Sequence, residues 1–246
     1  MPKILRMKDA SDNYVVRKGL LFDCPFRLLL CAKSGLGKTS IIGNFCLRSE
    51  YYSGVFNGED IYIFSPLKND YKMETIIVEK EIPEHNIFTH YDNDILRELY
   101  DSLVEDFEER VNAGKRPKHS LIVMDDLSFS GALRSGYFNQ ISRIFCNGRK
   151  QLISIIITCQ LYSHVLPVCR ENASGMIVFN TAIRQLEQIA EDNNFLKSKR
   201  DFIQMFRSNI TSKNDFLAIN YSNEVKEMYL DKNFEVITTK CSSEKC

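Results

Sequence analysis

The stretch from Phe26 to Ser40 constrains this chain more than any other. An apolar run, Phe26–Cys31, leads into a glycine-bearing turn, and a helical pattern, Thr39–Ser49, starts at once. The turn reads Ala32-Lys-Ser-Gly-Leu-Gly-Lys-Thr39, which fits G-x-x-x-x-G-K-[ST] except that Ala32 replaces the first glycine. Gly35 and Gly37 can adopt the φ values that turn successive N–H groups inward, forming an anion nest at a helix N-terminus. The residues expected to wrap a nucleotide's phosphates are Ala32, Lys33, Ser34, Gly35, Leu36, Gly37, Lys38, Thr39 and Ser40. Lys38 would reach the β- and γ-phosphates of ATP, and Thr39 would give its hydroxyl to Mg²⁺. Lys33 and Ser34 occupy variable positions that tune the loop's shape. Ala32 is small enough for the loop to survive.

Further short apolar runs predict buried strands at Ile61–Phe64, Leu121–Met124, Leu152–Cys159 and Met176–Phe179. Their hydrophobicity is continuous rather than alternating, as in a parallel sheet covered on both faces. Helical spacing falls between them. Leu96, Leu99, Leu103, Phe107 and Val111 recur within Tyr91–Asn112, ahead of Gly114 and Pro117, and a second pattern spans Tyr137–Cys146. This alternation predicts an α/β fold built of βαβ units. Residues 1–246 read as one domain, with a core over about 20–220 and an extension with a polar tail over 221–246. Short strand-like pieces are expected at Phe216–Asn220 and Phe234–Thr238.

The second half of the site is Leu121-Ile-Val-Met-Asp-Asp126, four apolar residues ending in paired acids. In this Walker B arrangement Asp125 would hold Mg²⁺ through water, and Asp126 would orient or deprotonate the attacking water. The adjacent acid argues for hydrolysis over transfer to a small acceptor. Leu152–Cys159 ends in Gln160, an amide placed to sense the γ-phosphate or to bond a neighbouring loop. Arg149, just ahead of that strand, is by itself an ordinary surface arginine.

Bulk properties narrow the partners. The formal net charge is zero, so any DNA contact must come from local patches. The eight cysteines form no C-x-x-C pair, and several sit inside apolar runs, predicting free thiols in a reducing compartment. No targeting peptide is visible. The longest apolar run is eight residues, against roughly 20 for a membrane helix, so a soluble protein with no membrane partner is expected. The four histidines have no metal-ligand spacing, which leaves nucleotide-bound Mg²⁺ as the expected metal.

Together these segments resemble a family. Phe26-Arg-Leu-Leu-Leu leading into Ser-Gly-Leu-Gly-Lys-Thr39, Ile63-Phe-Ser-Pro66, Met124-Asp-Asp126, Gly148-Arg149, Ile155-Ile-Ile-Thr-Cys-Gln160 with Tyr162 and His164, and Phe179-Asn180 are similar to the genome-packaging ATPases of poxviruses, other nucleocytoplasmic large DNA viruses and virophages. That family is a branch of the FtsK–HerA motors, and the similarity covers about residues 24–220. The resemblance implies a three-layer RecA-like P-loop core with a mostly parallel sheet and additional strands. It also implies a homo-oligomeric ring, pentamer or hexamer, with ATP at subunit interfaces. The expected activity is ATP-driven translocation of double-stranded DNA into a preformed capsid, with capsid proteins as partners. The implied location is the viral factory of the host cytoplasm, with the virion as a further site. Arg149 stands where related motors carry an arginine finger reaching into the neighbour's site, with Arg170 a second finger candidate, and Gln160 becomes the sensor. Asn180 matches a family position but also reads as a cap for a helix beginning at Thr181.

A translocating motor needs basic groups on loops. Leu127–Gly136, which holds Arg134 and follows the paired acids, is the first candidate. Ser65–Lys72 offers Lys68 and Lys72. Residues 197–213 carry five basic side chains against one acid, a local charge of +4. The alternatives are a nucleotide-dependent switch controlling a protein partner without moving DNA, and a small-molecule kinase, against which the absence of an acceptor-site signature counts.

Overall fold

The structure is a computed structural model and describes residues 13–15, 21–66, 70–126 and 139–238. Among these residues eight strands form one sheet: β1 (Arg27–Cys31), β2 (Ile61–Phe64), β3 (Ile87–Phe88), β4 (Ser120–Met124), β5 (Ile153–Cys159), β6 (Gly175–Phe179), β7 (Phe216–Asn220) and β8 (Tyr229–Leu230). Their spatial order is β3-β2-β4-β5-β1-β6-β7-β8. The first six run parallel, while β7 and β8 add antiparallel strands at one edge. The α/β fold with a mostly parallel sheet and additional strands is therefore the one formed.

Among the described residues seven helices cover both faces: α1 (Lys38–Leu47), α2 (Tyr71–Glu79), α3 (Asn93–Asn112), α4 (Gln140–Asn147), α5 (Pro167–Asn172), α6 (Ile183–Asn193) and α7 (Lys199–Asn209). Alternate residues of each strand point to opposite faces, and both sets are apolar here. Leu28, Leu30, Ile61, Ile63, Leu121, Val123 and Ile156 pack with Ile42 and Phe45 of α1 and Met73 and Ile76 of α2. Leu29, Ile122, Met124, Ile155 and Ile157 pack on the other face with Leu96 of α3, Ile144 of α4, Ile189 of α6 and Phe202 of α7. These two cores make the three layers and explain the unbroken apolar runs.

Several elements lie off the expected pattern. The helix expected from Tyr91 starts at Asn93, because the Asp92 carboxylate accepts from the amides of Asp94 and Ile95 at 2.7 and 3.2 Å and caps it. The piece expected at Phe234–Thr238 forms only a bridge between Val236 and Leu230, while Tyr229–Leu230 supplies β8. α2, α5, α6 and α7 were not apparent from periodicity. The part of the Tyr137–Cys146 helix before residue 139 lies outside the described residues. Among the described residues six cysteines are free, five of them buried, and no helix is long and apolar enough to cross a membrane.

Candidate nucleotide site

Parallel strands deliver their C-terminal ends to one edge of the sheet, where α/β proteins place ligands. Register does this here. Cys31 at the end of β1 pairs with Cys159 of β5 and Val178 of β6, and Met124 of β4 pairs with Ile157 of β5. The turn after β1, the acids after β4, Gln160 after β5 and Phe179 of β6 therefore gather around one cleft of about 670 Å³.

In the turn, Gly35 and Gly37 have φ of 76° and 113°, the left-handed values that an inward-facing amide nest requires. Gly37 immediately precedes α1, so the nest opens onto that helix's N-terminus. A Cβ on Gly37 would also lie 3.5 Å from the Phe179 ring. Lys38, 8% exposed, donates from Nζ to the Ala32 carbonyl at 3.1 Å. Ala32 is itself buried and holds the loop's base through its amide bond to Cys159 O. Lys33 is exposed, whereas Ser34, Leu36, Thr39 and Ser40 line the cleft.

The acids opposite are held by β5. The Thr158 hydroxyl donates to Asp125 Oδ1 at 2.7 Å and accepts from the Asp126 amide at 2.9 Å. Gln160 Nε2 donates to Asp126 Oδ1 at 2.9 Å. Asp126 stands at φ 51°, unusual outside glycine, and the two strand-end bonds maintain it. Burial pushes the Asp125 carboxyl up from its ordinary value. The Thr158 bond and the facing Lys38 charge oppose that, while Asp126 and Asp70 add to it.

Thr158 was missed by sequence reasoning. Its signal was a hydroxyl at the end of an isoleucine run, two residues before the strand-end Gln160. Asp70 and Lys72, at the start of α2, also face the cleft, as do Lys213 and Asn214. The Thr39 hydroxyl donates to Asp70 Oδ2 at 3.4 Å, and Lys72 Nζ donates to Ser40 Oγ at 2.7 Å. Lys72 and Lys213, which lie in segments that were candidates from the sequence for DNA contact, line this cleft. Lys68 and the loop Leu127–Gly136 lie outside the described residues.

Arg149 occupies a 3-10 turn, Gly148–Gln151, ahead of β5. The seven residues of β5 separate it from Gln160, a rise of roughly 23 Å at 3.3 Å per residue. It is exposed at the sheet edge opposite the cleft, where its charge adds to the burial of Arg27, the larger cause, in lowering the Arg27 guanidinium's pKa. Arg149 therefore cannot reach the cleft of its own chain. Arg170 is engaged elsewhere: it pairs with Asp192 and lies over the Tyr162 ring, 5.0 Å from its centroid. Asn180 caps no helix, since α6 begins at Ile183 behind Ala182.

The donor set suits a hard divalent cation carried by phosphates. A hydroxyl, Thr39, and a carboxylate, Asp125, supply the one or two protein oxygens that Mg²⁺ takes when substrate phosphates provide others.

A family profile described as Poxvirus A32 protein matches residues 14–239. DNA packaging protein OPG160 of monkeypox virus is 25% identical over 221 residues, covering 87% of this chain and 67% of that protein. Its vaccinia virus (strain Copenhagen) counterpart is also 25% identical, covering 87% and 74%. Among solved structures, B204, the DNA-packaging ATPase from Sulfolobus turreted icosahedral virus, superposes with a TM-score of 0.55 at 14% identity over 81% of this chain and 94% of that one. The B204 packaging NTPase of Sulfolobus turreted icosahedral virus 2, solved with ATPγS, gives 0.53 at 13% identity over 79% and 91%.

Proposed function

The chain belongs to the Poxvirus A32 protein family, and from that premise we propose that it is an ATP-hydrolysing motor that packages a double-stranded DNA genome into a preformed viral capsid. One observation carries this reading. The glycine nest and Lys38 face an acid pair held by three side-chain bonds, two to Thr158 of β5 and one from Gln160 just after it. The packaging role of the OPG160 relatives and the shared fold of B204 support it.

In this mechanism the amides around Gly35 and Gly37, with Lys38, bind the triphosphate and stabilise charge developing on the γ-phosphoryl group. When bound, Mg²⁺ supplies charge neutralisation on the β- and γ-oxygens. Thr39 and Asp125 are the residues that would hold it. Asp126 accepts a proton from the attacking water, or orients it, and Gln160 reports the state of the γ-phosphate through its bond to Asp126. Arg149, remote from its own cleft, acts on a neighbouring subunit, so the working form is a ring with ATP at subunit interfaces.

Residues 1–246 work as a single ATPase unit, with the core over about 20–220. The polymer moved is double-stranded DNA, held by basic loops, and assembly takes place with capsid proteins in the cytoplasmic viral factory. The test is ATP turnover measured with and without duplex DNA, alongside electron microscopy with an ATP analogue. A ring encircling DNA and DNA-stimulated hydrolysis are expected. A stable monomer with a flat response to DNA would favour a nucleotide switch.

A further inference from the structure

The first turn of α2 meets the first turn of α1 beside the nucleotide loop, and one carboxylate joins them. Asp70 Oδ1 accepts from the amides of Lys72 at 2.9 Å and Met73 at 3.4 Å, which caps α2. Its other oxygen, Oδ2, accepts from the Thr39 hydroxyl. Two residues on, Lys72 Nζ bonds Ser40 Oγ, so consecutive residues of α1 are each tied to α2. The carboxylate's orientation is therefore set by the helix it caps. The Thr39 hydroxyl bonds Asp70 rather than the paired acid Asp125, which accepts from Thr158.

A threonine hydroxyl that ligates a cation uses an oxygen lone pair and still has one proton to place. Where that proton goes fixes the direction of the lone pairs. We propose that Asp70 is a positioning residue of the nucleotide site: it takes the Thr39 proton and so holds the Thr39 oxygen open towards the metal that accompanies ATP. This is the outer-shell role in which a hydrogen-bonded partner orients a ligand, and it rests on the nucleotide reading given above. It also links α2, through its capping carboxylate, to whether the metal is bound.

Asp70→Asn separates this role from capping. Asparagine caps a helix about as well as aspartate, but with its oxygen on the α2 amides its other atom is an NH₂ group, which donates and cannot accept the Thr39 proton. The readout is binding of a fluorescent, non-hydrolysable ATP analogue, first in EDTA and then over a Mg²⁺ titration, with thermal melting as a control. The expected result for D70N is unchanged melting, unchanged affinity in EDTA, and a half-saturating Mg²⁺ concentration raised by about 10- to 100-fold. Thr39→Val, which removes the ligand oxygen itself, should shift the Mg²⁺ midpoint at least as far, and D70N/T39V should shift it no further than Thr39→Val, because Asp70 acts only through Thr39. A D70N midpoint equal to that of the unmodified protein would leave Asp70 a cap only and overturn the proposal. Additive shifts would overturn it too, by showing that Asp70 acts other than through Thr39. If the unmodified protein binds the analogue neither with nor without Mg²⁺, the nucleotide reading itself fails and takes this inference with it.

Discussion

Gln160 Nε2 lies 2.9 Å from Asp126 Oδ1, so the amide closing β5 is bonded to the second acid after β4. In the proposed mechanism the same Asp126 handles the attacking water, and Gln160, directly after the central strand, bonds its carboxylate. Gln160→Ala should leave nucleotide affinity within about threefold, since no phosphate contact is removed, and lower kcat by roughly 10²-fold through loss of a positioned group. Gln160→Glu should be as severe, because it sets a carboxylate against Asp126. Steady-state kinetics separating kcat from KM check this, and a purely KM effect would assign Gln160 to binding.

Thr158→Val removes one hydroxyl and strands two groups. Asp125 Oδ1 loses its donor and the Asp126 amide its acceptor. Leaving buried polar groups unpaired costs about 1–3 kcal/mol each, so the variant should melt several degrees lower. Serine at the same position keeps the hydroxyl and should recover most of the loss. Calorimetry of both variants decides whether Thr158 acts through its hydroxyl or only fills space.

Burial raises the Asp125 carboxyl's pKa, and the sign of the consequence is definite. A carboxyl with a folded-state pKa above its unfolded value of about 3.9 favours folding below that value, and the contribution is lost as pH rises through the folded-state pKa. Ionising Asp125 in the folded protein therefore carries a stability cost. Asp125→Asn should raise Tm of the nucleotide-free protein at pH 7, and the gain should shrink as pH falls towards 4. The same variant should lose Mg²⁺-dependent hydrolysis. A Tm gain that did not vary with pH would assign the effect to packing.

How much of this could be read from the residues follows from what each signal depends on. β2 and β7 were legible to the residue, and β1, β4, β5 and β6 to within one, because two-sided burial writes itself as a local run of apolar side chains. The glycine nest was legible because φ of 76° and 113° demands glycine. α6 and α7 escaped because their buried residues, such as Leu186, Ile189, Phe202 and Met205, are sparse among charged neighbours. Asp70, Lys72, Thr158 and Lys213 escaped for another reason. Their roles arise only when β2, β5 and β7 bring distant segments to one edge, and nothing in the local sequence around a surface lysine or a strand threonine records that approach. Arg149 shows the converse. The family resemblance singled it out, yet only the parallel direction of β5 reveals that it stands at the wrong edge to serve its own cleft.

That placement makes the sharpest prediction about assembly. Arg149→Ala should bind ATP normally, because the residue lies a full strand length from its own loop, and should lose roughly 10³–10⁵-fold in turnover if it stabilises the transferring phosphoryl group in a neighbour. Asp126→Asn should be inactive through its own site while keeping Arg149 to offer. Mixing the two inactive variants creates interfaces at which an intact acid pair, from the Arg149→Ala subunit, meets an intact arginine, from the Asp126→Asn subunit. Turnover should reappear on mixing, rise to a maximum near equal proportions, and remain absent for either variant alone at any concentration. Because the cleft and Arg149 lie at opposite edges of one sheet, complementation cannot arise within a single chain. Failure to complement in subunits shown to co-assemble would remove Arg149 from the reaction and leave it to the Arg27 edge of the fold.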